Sequence, residues 1–454
     1  MERNPGHSGP RRIAECKNRR DRQRRQPIAH YSGRAGRAIR MSKKYIGPFV
    51  VLVAIILIIL KSIYSYYLTY DYSLRRRAEI TRQSDNDINV AVVWNFLHEK
   101  SFLDGARLAV NETNRDGIKL VSDQKTRIAR LVLHEYDDST DDDARDTWLS
   151  ISATRNIAAV IGHSSSASAI PASISYEYNG VLFISALATD TALTAHRFKY
   201  TFSINPTDRF YADRLIDYAK THQLYKLIIL FTQDDYGMDF YTTLTGGGLP
   251  GGVEVIASRS FLATEEDKRA GDIDSKAGLI YQLMQHDFDA VVLGARGQLG
   301  AQMIELLRSM GINKPILSSE GLDDATVWEM SHQTANKLYV ASVFPEDGGT
   351  VQKPAGEPEK PIPSSPRLFI DKFKQSYGYA PGYFAFQGYE AIKVLASAIQ
   401  SAASAEPIKV AATLQYGNKN GYNHYVFDQN SLIANKKIVV KEMINGKFKT
   451  VDLE

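Results

Sequence analysis

Cysteine is almost absent from this chain: Cys16 is the single one among 454 residues. No intrachain disulfide can form, and beyond residue 16 there is no thiol to serve as a nucleophile or a metal ligand. Histidine is sparse as well, ten scattered residues without the close spacing of zinc sites. A phosphate loop of the Gly-x4-Gly-Lys-Ser/Thr type is missing, and Gly246-Gly247-Gly248-Leu249-Pro250-Gly251-Gly252 reads as a turn before a strand. Gly162-His163-Ser164-Ser165-Ser166 begins like a nucleophile elbow but lacks the second glycine. The acidic run Asp137 to Asp143 has Asp142 and Trp148 where a calcium loop needs a glycine and a closing glutamate, so it reads as an acidic helix start. These absences leave no catalytic residue, metal or cofactor to expect. The chain reads as a binder, not an enzyme.

Charge is unevenly spread. Residues 1–44 hold 14 Lys/Arg against 3 Asp/Glu, whereas the remainder holds 41 against 48. An acidic body argues against nucleic acid as its partner. The basic tail, with Arg19-Arg20-Asp21-Arg22-Gln23-Arg24-Arg25, reads as solvated chain. Met41-Ser42-Lys43-Lys44 reads as a second start, and under that reading residues 1–40 are not translated.

After the tail comes the one long apolar run. Ile46 to Leu60 is uncharged, and four tyrosines follow Lys61 by Tyr70. A lysine near a helix end snorkels and tyrosines suit the interface, so residues 46–68 are expected to form a transmembrane signal anchor. A cleaved signal peptide is the rival, but no Ala-x-Ala-like site follows. If the basic tail is present, the positive-inside rule places the N-terminus in the cytoplasm and the body outside it.

From Ile88 onward, short apolar runs alternate with amphipathic stretches, the pattern of parallel α/β sheets. Ile88–Val93, Ile157–Ile161, Lys226–Phe231 and Asp289–Leu293 read as strands; Phe102–Asn114, Asp208–Thr221 and Phe384–Ala402 read as helices. The rhythm breaks at 198–206 and 337–345, two extended stretches ending in proline, where one sheet hands over to a second. A Pro- and Gly-rich stretch, 346–366, suits a surface loop. Strands 157–161 and 181–184 each end in small, hydroxyl-bearing turns that place Ser166 and Thr189 above a sheet edge. That edge is where open α/β sheets take ligands, and hydroxyls beside a helix N-terminus suit a carboxylate. Alternatively both residues simply cap helices.

Several ordered pieces, Gly162-His163, Gly180 to Ser185, Ala188-Thr189, Asp208, Asp235-Tyr236-Gly237, Ser319-Glu320-Gly321, Tyr377 to Pro381 and Gly388 to Ala396, resemble the type I periplasmic binding proteins. Within that family the resemblance is to the leucine/isoleucine/valine-binding branch, receptors for ABC importers. It covers roughly residues 87–454. It implies a two-lobed α/β fold, two doubly wound parallel sheets joined by three crossover strands, with lobe 1 over 87–205 and 340–425 and lobe 2 over 206–339 and 426–454.

The resemblance also implies ligand roles. Ser166 and Thr189 would hold the ligand carboxylate, with Thr189 and the Leu187 carbonyl on its ammonium. Asp208 and Tyr236 would approach from lobe 2, and Glu320 would pair with the ammonium. Two positions depart from the branch. Trp94 opens a shortened loop of bulky residues, 94–101, and either lines the pocket or fills the core. Arg296 stands where an aromatic often lines the side-chain pocket, favouring an acidic or polar ligand, filling the pocket or making an ion pair. The implied protein captures an amino acid or similar zwitterion for an ABC permease from the inner membrane, its binding domain periplasmic. The alternative is a sensor or scaffold of the same fold acting on another envelope protein.

Overall fold

The computed structural model describes residues 47–65, 77 and 87–451, apart from 99, 123–124, 248, 250, 262–272, 347–365, 418–424 and 435. The basic tail with Cys16, and nearly all of the Pro-rich stretch, lie outside the described residues. The chain divides into two units, residues 1–66 and 67–454. In the first, α1 (Gly47–Ser65) has a mean hydropathy of 2.4 over its most apolar window, long and apolar enough to cross a membrane.

The second unit opens with β1 (Asp87–Trp94), α2 (Ser101–Asp116), β2 (Ile118–Ser122), β3 (Lys125–Asp137) and α3 (Asp141–Ala153). It continues with β4 (Ile157–Gly162), α4 (Ser166–Asn179), β5 (Leu182–Ser185), α5 (Ala192–Ala195) and β6 (Thr201–Ser203). These strands form one sheet in the order β2-β3-β1-β4-β5-β6, parallel except for the β2–β3 pair. Every residue of β4 and β5 is buried, as continuous apolar strands covered on both faces must be.

The chain then crosses over. α6 (Asp208–Thr221), β7 (Lys226–Thr232), α7 (Asp235–Gly246), β8 (Glu254–Phe261) and α8 (Ile273–Leu283) begin a second α/β layer. Next come β9 (Ala290–Gly294), α9 (Gly297–Ser309), β10 (Ile316–Ser318), a 3-10 turn at Glu320–Leu322, α10 (Thr326–Met330) and β11 (Leu338–Ser342). A return brings α11 (Pro366–Tyr377), α12 (Tyr383–Ala402) and α13 (Pro407–Tyr416), of which α12 packs along α2. The hairpin β12 (Val439–Ile444) and β13 (Lys447–Val451) completes the second sheet, ordered β13-β12-β11-β10-β9-β7-β8. The result is the expected two-lobed α/β fold, and the chain passes between the sheets three times: after β6, after β11 and before β12.

Close packing of α2 on α12 depends on two glycines. A Cβ at Gly105 would land on the Ala385 carbonyl oxygen, and one at Gly388 on that of Phe102. The approach is closed to any larger residue.

The crossings are held by buried polar groups. Asn205, on the first crossing, accepts from the Tyr211 hydroxyl (2.7 Å) and donates to the Leu187 carbonyl (3.0 Å) and the Tyr383 hydroxyl (2.9 Å), joining residues of both lobes. Lys436, on the third, donates to the Ile204 carbonyl (2.9 Å), Gln387 Oε1 (2.6 Å) and Glu390. Lys441 on β12 is fully buried against Asp323 and lies 3.2 Å from Glu346, just past β11. Burial disfavours the Lys441 ammonium, yet the two carboxylates hold its pKa above the usual value.

Candidate functional site

The strand-end turns of the two sheets face a cleft of about 400 Å³. From the first sheet it is lined by Ser165, Ser166, Ala167 and Ile170 of the α4 start, and by Thr189 and Asp190 after β5. From the second come Asp208, Tyr236 and Arg296, together with Met238 and the carboxylates Asp234, Asp235 and Asp239.

On the first side, helix capping falls to Ser165, whose hydroxyl accepts from the Ser168 amide (3.3 Å). Ser166 is thereby free for another role. Its Oγ accepts from the amides of Thr189 (3.2 Å) and Asp190 (3.3 Å), which ties the two turns together. The hydroxyl proton remains to donate toward the cleft, beside the first amides of α4, which no helical turn satisfies. Beneath the turn, His163 is wholly buried between Asp138 (3.2 Å) and the Tyr176 hydroxyl (3.0 Å). Asp138 also accepts from the Ser164 amide (2.9 Å) and the Ser168 hydroxyl (3.1 Å), so the turn rests on a buried polar network.

The opposite side is anionic. Asp208 begins α6, its amide donating to the Thr189 carbonyl (3.1 Å), and it is 6% exposed. Burial, then the neighbouring Glu320 charge, push its carboxyl up to about 7, with Thr189 and Arg296 pulling it down. Asp208 Oδ1 has no hydrogen-bond partner. Glu320 is 4% exposed, and neither of its carboxylate oxygens has one. Desolvation raises its pKa too, against the pull of Arg296. The Arg296 guanidinium lies 4.0 Å above the Tyr236 ring, with Nη2 3.9 Å from Glu320 Oε1. The Tyr236 hydroxyl shares a 2.8 Å hydrogen bond with Ser319 and accepts from the Gly321 amide (3.2 Å), which fixes the Glu320 turn.

Of the eight residues expected from sequence, five meet at the cleft: Ser166, Thr189, Asp208, Tyr236 and Arg296. Glu320 sits behind Tyr236 and Arg296. The Leu187 carbonyl lies behind Thr189 and already accepts from Asn205. Trp94 is elsewhere: at 1% exposed it stacks on Phe102 (4.8 Å between ring centres) and leans on Phe384 in the core, the second of its two expected roles. Sequence reasoning missed Asp190, Asp234, Asp235 and Asp239. Their signal was present, since Asp190 follows Thr189 and Asp235 and Asp239 lie one turn apart on one helix face.

Two α/β layers, three crossings and a polar cleft at the strand ends define a two-lobed binding protein. Residues 97–444 match the periplasmic binding protein family, and the chain belongs to it. Its relatives include the leucine-specific-binding protein of Salmonella typhimurium, 25% identical over 73% of this chain and 83% of the relative. Another is the Leu/Ile/Val-binding protein of Escherichia coli, 24% identical over 63% and 72%. Among solved structures, an ABC transporter substrate-binding protein from Desulfitobacterium hafniense in complex with Leu shares the fold, with a TM-score of 0.64 and 22% identity, covering 80% of this chain and all of that one. The branched-chain amino acid transporter substrate binding protein LivJ from Streptococcus pneumoniae, in complex with isoleucine, also gives 0.64, at 21% identity over 80% and 99%. The family is one of solute-binding proteins.

Proposed function

We propose that this chain is a membrane-anchored, extracytoplasmic solute-binding protein that captures an amino acid or similar small zwitterion for an ABC importer of the inner membrane. The division of the cleft carries the reading. Hydroxyls and helix amides at Ser166 and Thr189 suit a carboxylate; Asp208, lining the cleft with an unpartnered carboxylate oxygen and with the Glu320 charge as its neighbour, suits an ammonium. Supplying the two ends from opposite lobes makes closure depend on ligand, because only the closed form engages both. The names of the relatives, all binders of leucine-type amino acids, support the same reading. The anchor would be α1, and the importer's permease the partner.

The test is a screen of amino acids and small acids by thermal shift and calorimetry, on the full chain in nanodiscs. A ligand at 100 times its Kd stabilises by about 2.7 kcal/mol. Thr189→Ala and Asp208→Asn should each weaken binding by about ten-fold or more. If no small molecule stabilises the chain, the reading is lost. A second reading, an envelope sensor or scaffold, is favoured by one observation, the apolar α1. Crosslinking in membranes separates the two: capture of a permease supports the importer, and capture of another envelope protein supports the sensor.

A further inference from the structure

The cleft holds more negative charge than a neutral zwitterion requires. Five carboxylates line it, Asp190, Asp208, Asp234, Asp235 and Asp239, against the single guanidinium of Arg296. That guanidinium is already engaged, stacked on Tyr236 and directed at Glu320, which lies outside those five. Among the described residues none of the five carboxylates forms an ion pair.

Their local duties differ. Asp234 caps α7, accepting from the Gly237 amide (2.9 Å) and the Thr232 hydroxyl (2.6 Å). Asp190 accepts from the Ala192 amide (2.8 Å). Asp235 and Asp239 are exposed on the cleft-lining turn of α7. Asp239 feels the charges of Asp190 and Asp235 strongly enough, after burial, for its carboxyl to be raised. Asp208 is the independent sign of a missing ligand: more than nine-tenths buried, lining the cleft, with one oxygen unpartnered.

Resting on the reading above, we infer that the preferred ligand carries a second positive charge: an α-amino acid whose side chain ends in a cation. Its α-ammonium would meet Asp208 and its carboxylate the Ser166 side. The methylenes of its side chain would cross Ile170 and Met238, and its terminal cation would lie among Asp190, Asp235 and Asp239. Apolar stem and charged tip match such a path. A cavity of this volume holds a ligand of that size. A leucine side chain would instead face carboxylates that it cannot pair, and a glutamate side chain would be repelled by them.

The experiment is calorimetry on the full chain in nanodiscs with lysine, ornithine, arginine, leucine, glutamate and the diamine cadaverine. At least one basic amino acid should bind about ten-fold or more tighter than leucine or glutamate. Raising salt to about 0.5 M should shrink that margin. The double variant Asp235→Asn/Asp239→Asn should lose most of the margin through weaker binding of the basic amino acids, with leucine bound no more weakly than before, a result that misfolding cannot mimic. Leucine or glutamate binding as tightly as every basic amino acid overturns the inference and leaves the zwitterion reading standing. Cadaverine matching lysine upholds the charge preference but removes the carboxylate clamp. Binding by none of the six overturns the preference.

Discussion

At Glu320 and Asp208 the protein keeps two carboxylates out of water without giving either a full set of partners. Such groups cost folding free energy, so their presence points to a ligand that completes them. Glu320→Gln removes the buried charge and is expected to stabilise the ligand-free chain by about 1 kcal/mol, while ligand affinity drops about ten-fold or more. Chemical denaturation and calorimetry on the same variant check both halves; a destabilised variant would refute the first.

Acidity adds a sign that can be tested. The folded Asp208 carboxyl, pushed up to about 7, binds its proton more tightly than the unfolded chain, whose value is about 3.9. Its contribution to stability is therefore full below about pH 4 and lost as pH climbs through about 7. Glu320, Arg296, Thr189 and Asp239 are the groups that set this value. The melting temperature of the ligand-free chain should fall between about pH 4 and 7. Asp208→Asn should flatten that slope, and an unchanged slope would dismiss Asp208 as its source. At this scale sequence was a partial guide. Ser166, Thr189, Asp208, Tyr236 and Arg296 were legible because motifs place them at strand ends. Trp94 was ambiguous because an aromatic at a strand end serves a core or a pocket equally well, and burial against Phe102 decides it only in three dimensions.

Among the elements, α4 and α2 bear the site in different ways. α4 depends on its cap and on the polar network beneath it. Ser165→Ala should cost about 1 kcal/mol through the lost cap. His163→Ala should cost about 3 kcal/mol, since it removes one partner from the buried Asp138 and the Tyr176 hydroxyl and leaves a cavity in the core. Both are read by denaturant midpoints at constant slope. A smaller effect for His163→Ala than for Ser165→Ala would show that the network does not hold the turn. Toward α12, α2 relies on close approach at Gly105 and on Glu112, which accepts from the Tyr389 hydroxyl (2.8 Å) and lies 3.5 Å from Lys393 Nζ. Gly105→Val should cost about 3 kcal/mol or more by forcing the helices apart. Native stability in that variant would contradict the crossing. The parallel strands were legible because buried strands read as apolar runs. β2 was not singled out, because an edge strand of five residues with alternating exposure carries a weak pattern.

For the whole molecule, the chain joins its two sheets at three crossings, and buried lysines, alongside apolar packing such as Phe344 on Phe386, hold two of them. Lys441→Met leaves Asp323 and Glu346 facing each other without a cation and should cost about 3–5 kcal/mol. Adding Asp323→Asn should recover part of it, as thermal and denaturant unfolding would record. Lack of any loss in the single variant would mean that the pair carries no weight. The overall architecture was the most legible level, since alternating strands and helices with two extended breaks constrain topology strongly. The pairing of Lys441 with Asp323 was not legible, because residues more than a hundred positions apart meet only after both sheets exist.

The interleaving of the lobes also bears on how the protein is made. Neither lobe is continuous in the chain: the first sheet is built from β1 to β6 but covered only later by α11 to α13, and the second sheet waits for β12. A ribosome therefore cannot release one finished lobe and then begin the other. Asp323, three residues beyond Glu320, emerges more than a hundred residues before the lysine that neutralises it, so the Glu320 turn lacks that support through roughly the last quarter of elongation. Any quality control acting on the nascent chain would meet a half-built cleft, which becomes competent only when the strand bearing Lys441 has been added.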